Sequence, residues 1–391
     1  MTPAARTQAA IDLLDAIIAA AADNGAAADT LIARYFAQRR YAGSKDRRAV
    51  RELVYAAIRL LGERPASGRA AMVALAKTDP AIAATFDGST HAPTPITSGE
   101  PTAEPGIAPA WLLERLFAAG LDAGEQRALT DRAPLDIRVN TLRTAPDVIA
   151  PELTDAQPIT GLADALRLPA GSDLTAFTGR LEVQDTGSQT VTLAAAAVPG
   201  QTIVDLCAGA GGKSLALAAA MGNEGRIIAA DVDRARLRRL EPRAAAAGAS
   251  IIDTQLLDAG REGDALAPLA GTADTVLIDA PCSGTGTWRR NPEARWRLTP
   301  ARIDRFVGLQ RHVLALGAPL VKPGGALVYI VCSLLDAEGR DQIDAFLAAH
   351  PAWQAERLSL PLGRAHGHGV RLTPAHDGSD GFFVARLRAP C

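Results

Sequence analysis

Thr202-Ile203-Val204-Asp205-Leu206-Cys207-Ala208-Gly209-Ala210-Gly211-Gly212-Lys213-Ser214 runs from a short apolar strand through a glycine-rich turn into the start of a helix. Downstream, apolar runs recur at Arg226 to Asp231, Ile251-Ile252, Thr275 to Ile278 and Leu327 to Val331, with helical stretches between them. Strands alternating with helices at this spacing predict a Rossmann-like α/β domain, a doubly wound and mostly parallel sheet with helices on both faces. In such a sheet, ligands bind at the carboxyl ends of the strands. The glycines allow close backbone approach, and the helix start presents free N–H groups to a carboxylate or phosphate. The turn lacks the usual Gly-x-Gly-x-x-Gly placement of a dinucleotide site, and Gly212-Lys213-Ser214 lacks the preceding spacing of a Walker loop.

The same strand ends carry acids and thiols. Asp231, Asp258 and Asp279 follow successive strands, an acidic edge that suits ribose hydroxyls and a cationic sulfonium better than a pyrophosphate. Any one of them could equally be a helix cap or loop residue. Cys282, in Asp279-Ala280-Pro281-Cys282, and Cys332, after Leu327-Val328-Tyr329-Ile330-Val331, each sit just past a buried strand. Two thiols facing one site could divide nucleophilic attack from proton removal, although buried inert cysteine is the commoner fate. The residues alone do not say which thiol attacks. No zinc-type spacing of Cys and His is present, and no metal is expected.

Upstream, residues 1–85 read as a small helical domain, with Ile11, Leu14, Ile17 and Ile18 on one face and Leu53, Val54, Ala57, Ile58 and Leu61 on another. Between them Arg34-Tyr35-Phe36-Ala37-Gln38-Arg39-Arg40-Tyr41, Lys45, Arg47, Arg48 and Arg51 interleave basic and aromatic residues, as an RNA grip or as a solvated face over core aromatics. Residues 86–107, rich in Gly, Ser, Thr and Pro, read as a linker, and 108–190 as an α+β module containing a half-exposed strand at Leu135 to Asn140. Residues 191–391 form the α/β domain. The 391-residue chain, 48% hydrophobic, can bury real cores, and its formal net charge of −2 argues against nucleic-acid binding by bulk charge while leaving room for local basic surfaces. Four cysteines do not make a disulfide framework, and the apolar start is interrupted by Asp12 and Asp15, so a cytoplasmic protein with no membrane partner is expected.

These segments resemble the RsmB/Sun family of RNA cytosine methyltransferases. The resemblance lies in Asp205 to Ser214, Asp231-Val232-Asp233 with Arg236-Leu237, Asp279-Ala280-Pro281-Cys282-Ser283-Gly284-Thr285-Gly286, Arg289-Arg290-Asn291-Pro292, Leu320 to Gly325, Cys332-Ser333, Asp380-Gly381-Phe382-Phe383 and Val183 to Gln189. The N-terminal helices resemble the NusB-like RNA-binding domain of its RsmB members. The resemblance implies that S-adenosylmethionine is held by Cys207, Ala208, Gly209, Ala210, Gly211, Gly212, Lys213, Asp231, Asp258 and Asp279. It implies Cys332 as nucleophile and Cys282 as the group that helps release the product, on 16S ribosomal RNA, by a monomer. Asp279 is the candidate to stabilise the ring of the adduct at nitrogen 3, which requires a raised pKa if it is to donate. Arg289, Arg290, Arg295, Arg297, Arg302 and Arg305, with Trp288 and Trp296, are expected to contact RNA beside the site. Two positions depart from the family pattern: Ala210 stands where proline is usual and Val331 where threonine is usual. A transfer RNA substrate, a non-catalytic RNA-binding or ribosome-assembly factor, and a nicotinamide-dependent oxidoreductase are the alternatives; the last leaves both cysteine motifs without a role.

Overall fold

A computed structural model describes every residue of the chain except Asn24. The described residues divide into two compact units, Met1–Arg132 with Thr287–Thr299, and Ala133–Gly286 with Pro300–Cys391.

The first unit is helical. Helix α1 (Pro3–Ala22) starts with Thr2 as N-cap, its hydroxyl accepting from Ala5 N–H, and Pro3 in the first turn, where its missing N–H costs nothing. Helices α2 (Ala28–Ala37), α3 (Ser44–Leu60) and α4 (Gly68–Ala76) follow. Leu13, Leu14 and Ile17 of α1 pack with Val50, Val54 and Ile58 of α3 and Met72 of α4 in one core. Gly68 lets α4 begin directly on α1, since a Cβ there would lie 2.2 Å from the Ile11 carbonyl oxygen.

The segment Thr287–Thr299 belongs to this helical unit. Trp288 is fully buried, Trp296 and Arg289 are buried, and Arg295 is fully buried with its guanidinium donating to the carbonyls of Ile58 (2.6 Å), Leu61 (2.8 Å) and Pro292. Arg297 donates to the carbonyls of Gly25 and Ala26, both at 2.7 Å. The expectation that this stretch meets RNA is therefore corrected for the buried Trp288, Arg289, Arg295 and Trp296. Orphan carbonyls at the end of α3 need donors, and a forked guanidinium supplies several at once. By contrast Arg34, Arg40, Tyr41, Lys45, Arg47 and Arg48 are exposed around α2 and α3, while Phe36 is core.

The second unit holds two sheets. Four short antiparallel strands, β1 (Leu135–Val139), β2 (Gln157–Ile159), β3 (Leu162–Leu168) and β4 (Leu181–Val183), are ordered β2-β3-β1-β4. The larger sheet contains β5 (Thr202–Asp205), β6 (Arg226–Asp231), β7 (Ile252–Leu256), β8 (Ala273–Asp279) and β9 (Val321–Val331), all parallel, in the order β7-β6-β5-β8-β9. Strands β10 (Gln354–Glu356), β11 (Arg364–His366), β12 (Gly369–Leu372) and β13 (Phe382–Arg388) extend it antiparallel beyond β9. Alternate residues of the parallel strands face opposite cores. Val204, Ile228, Val276 and Tyr329 point to one face; Ile203, Ile227, Leu277 and Val328 point to the other. Burial on both faces is why these strands read as continuous apolar runs. Strand order turns outward in both directions from β5, which opens a crevice at its carboxyl end.

Candidate active site

The glycine turn sits in that crevice. Asp231, at the end of β6, holds it through Oδ2, which accepts from Gly209 N–H, while Oδ1 accepts from Asp233 N–H in its own loop, each at 2.7 Å. Gly209 and Gly211 have φ of +56° and +82°, the left-handed region that a side chain disfavours. The helix Gly212–Ala220 then starts without a side-chain cap, so its first N–H groups face the crevice. Arg243 braces the turn from behind, donating to the Ala210 carbonyl and, at 2.6 Å, to Glu182 of β4.

Asp205, Lys213, Asp279 and Cys207 crowd beneath the turn. Asp205 is fully buried, accepts from Ser214 Oγ at 2.6 Å, and leaves its Oδ1 without a partner. Burial, reinforced by Asp279 and Asp231 and opposed by Ser214 and Lys213, pushes its pKa up to about 7. Lys213 Nζ donates to Asp279 Oδ2 at 2.6 Å. Burial pulls Lys213 down, but the charge and hydrogen bond of Asp279 outweigh it and leave the ammonium above its ordinary range. Asp279 is thus an acceptor here and the proton lies on Lys213. Burial, then Asp205, Asp231 and Asp279, push the Cys207 thiol well up, so it lines the turn as a neutral group.

The parallel pairing of β8 with β9, Asp279 opposite Ile330, delivers both cysteines to one edge. Their Sγ atoms lie 3.4 Å apart. Cys282 is pushed well above its ordinary pKa, first by its hydrogen bond to Cys332, then by burial and by the charges of Cys332 and Glu338. Either sulfur can be the donor in this contact. Gly286 N–H donates to the Cys332 carbonyl at 3.0 Å and Gly381 N–H to the Gly286 carbonyl at 2.8 Å, tying both cysteine loops to the turn before β13. Val331 is buried beside Tyr329 and Phe383, in the core that lies across the sheet from the one against which Cys332 packs.

Cys207, Lys213, Asp231, Asp279, Cys282 and Cys332 are therefore brought together around the turn. Asp258 lies exposed beyond β7 and shares no side-chain hydrogen bond with them among the described residues. Behind the thiols lies a buried group absent from the expected set. Glu338 accepts from Ser283, Ser333 and Gln310. The sequence signal for it was only position, an acid six residues beyond Cys332. No cluster of His, Cys, Asp or Glu suited to a metal ion occurs among the described residues, and no helix there is long and apolar enough to cross a membrane.

Residues 192–388 match the family of 16S rRNA methyltransferases RsmB/F. The chain belongs to this family. A relative named probable ribosomal RNA small subunit methyltransferase B, from Synechocystis, is 36% identical over 298 residues, 72% of this chain and 66% of that protein. The match thus spans just under two thirds of the relative's length. The crystal structure of PH0851 superposes with a TM-score of 0.77 at 25% identity, over 99% of both chains. The structure of NSun6 from Pyrococcus horikoshii with SFG superposes at 0.63 with 20% identity, covering 70% of this chain and 97% of that one, and shows the shared Rossmann-like fold. The RsmB/F match covers the larger sheet with its turn and both thiols, so the family resemblance and the site coincide in one stretch.

Proposed function

We propose that this RsmB/F protein methylates carbon 5 of a cytosine in 16S ribosomal RNA, taking the methyl group from S-adenosylmethionine, through a covalent thiolate adduct. The observation that carries this reading is the 3.4 Å separation of Cys282 and Cys332 at the ends of adjacent parallel strands, beside the glycine turn.

The residues present suit that cofactor. A Cβ at Gly212 would meet nothing within 4 Å, so open space faces the uncapped helix start, and the Asp231 carboxylate that holds the turn favours a cation there. Cys207 to Lys213 with Asp231 would hold S-adenosylmethionine, and Asp258 and Asp279 would complete the acidic rim. When bound, it supplies the electrophilic methyl group.

Carbon 5 of cytosine is too weak a nucleophile on its own. Cys332 Sγ adds to carbon 6, and the electron pair of the ring double bond is thereby made available at carbon 5 for the methyl group. Asp279 hydrogen-bonds the ring at nitrogen 3, and Lys213, paired with it at 2.6 Å, lends the proton placed there and takes it back when the ring double bond re-forms. Once Cys332 is committed to a carbon–sulfur bond, its charge no longer raises Cys282. Cys282 then gives its proton to solvent and removes the one on carbon 5; the electrons re-form the ring double bond and expel Cys332 as thiolate. The base must leave its stack to reach these groups. The helical unit, with Arg34, Arg40, Lys45, Arg47 and Arg48 exposed, is read as a NusB-like RNA-binding module, and the protein as acting in the cytoplasm.

Tritium release from 16S RNA labelled at carbon 5 of cytidine tests the reading, with bisulfite sequencing to locate the site. Release that requires S-adenosylmethionine and Cys332 is expected. No release from 16S RNA, alone or in assembly particles, would overturn it.

A further inference from the structure

We propose that Glu338 is the positioning residue that sets the distance between the two thiols, an inference that rests on the methyl-transfer reading for its purpose but not for its geometry. Glu338 is fully buried in the turn Asp336–Glu338. Its Oε1 accepts from Ser283 N–H at 2.8 Å and from Gln310 Nε2 at 3.0 Å; its Oε2 accepts from the hydroxyls of Ser333, at 2.6 Å, and Ser283.

These partners are not scattered. Ser283 follows Cys282, Ser333 follows Cys332, and the same Gln310 amide reaches the Pro281 carbonyl, before Cys282, at 2.9 Å. One carboxylate thus grips the chain next to each sulfur, while Tyr329 in β9 donates to the Glu338 carbonyl at 2.6 Å and fixes the gripping residue itself. All four groups that reach the carboxylate are donors, so an ionised, acceptor-only group is what fits among them. None is a cation, and no basic side chain pairs with Glu338 among the described residues. A buried charge held by neutral donors is a costly way to fill a core, so stability alone does not account for it. Gln310 carries a similar cost, since its Oε1 is buried without a partner while its amide nitrogen serves Glu338 and Pro281. What the arrangement provides is register: with both following residues on one carboxylate, the loops after β8 and β9 cannot drift apart.

The test uses the full-length protein with Glu338→Gln, which turns one acceptor into an NH₂ donor facing donors. Phenylarsine oxide, which bridges two close thiols, reads the Cys282–Cys332 distance without any RNA, with Cys282→Ala as the control that abolishes bridging. Relative to wild type, Glu338→Gln should weaken arsenical capture about tenfold or more and lower kcat by about 10²-fold, with KM for RNA and affinity for S-adenosylmethionine changed less than about threefold. Glu338→Asp should recover part of kcat. If Glu338→Gln does not fold, Ser283→Ala, which removes one hydroxyl donor, should show the same signature at about tenfold in kcat. Capture and kcat both within about threefold of wild type, or a kcat loss matched by equal loss of cofactor affinity in both variants, would overturn the proposal. Glu338-dependent capture in a protein that methylates no RNA would leave the positioning role standing and remove the methyl-transfer reading instead.

Discussion

Gly286→Ala places a methyl group where the backbone of Gly381 already lies. An ideal Cβ at Gly286 falls 2.1 Å from the Gly381 carbonyl oxygen and 2.6 Å from its carbon, with no flexible side chain to move aside. Carbon and oxygen approach no closer than about 3.3 Å, so the two backbones must separate by roughly 1 Å. Gly286 N–H is bonded to the Cys332 carbonyl, and Gly286 lies four residues beyond Cys282, so the displacement passes to both sulfurs. Overpacking of this kind costs about 2 kcal/mol, a fall in Tm of roughly 6 °C for a unit of this size. A misplacement of about 1 Å at the reacting atoms lowers kcat by about 10²-fold. The glycine turn is untouched, and calorimetric affinity for S-adenosylmethionine should stay within about threefold. Thermal melting with tritium-release kinetics measures both effects. Tm unchanged with kcat inside about threefold of wild type would refute the argument that this contact fixes the thiols.

Three further outcomes follow from the same geometry. Asp205, raised from 3.8 to about 7, keeps a proton in the folded state that the unfolded chain has released; stability therefore falls as pH rises between those values, and thermal melts should show Asp205→Asn gaining on wild type from pH ~4 to ~7. Arg243→Ala frees the Ala210 carbonyl and leaves Glu182 unpaired, and should weaken S-adenosylmethionine binding about tenfold by calorimetry, roughly 1.4 kcal/mol, with kcat at saturating cofactor little changed. Arg295→Ala strips donors from buried carbonyls and should cost about 3 kcal/mol in chemical denaturation while leaving RNA affinity of the folded fraction unchanged; a selective loss of RNA binding would restore Arg295 as an RNA contact.

The parallel strands were legible because burial on both faces leaves an unbroken apolar run, which Ile227 to Ala230 shows in β6. The glycine turn and both cysteines were legible for a related reason: a strand end marks a place in the fold, so residues there are located by the strand alone. The antiparallel extension was not, since three-residue strands such as Arg364–His366 carry too little pattern. The segment after Cys282 misled because composition does not separate inside from outside. Arg295 reads as a surface cation and lies fully buried, satisfied by carbonyls more than 230 residues away in sequence. Glu338 stayed hidden for the same reason. Its meaning comes from Ser283 and Gln310, which only the folded chain brings to it.

The order of the two sulfurs, with Cys332 attacking and Cys282 releasing, is the part of the proposal that the family resemblance supplies, since either atom of their 3.4 Å contact can be the donor. Mass spectrometry of Cys282→Ala, incubated with S-adenosylmethionine and 16S RNA and digested with nuclease and protease, tests this directly. A methylated cytidine adduct on the peptide containing Cys332, absent in Cys332→Ala, is the predicted result. Full turnover by Cys332→Ala, or an adduct carried on Cys282 in that variant, would contradict it.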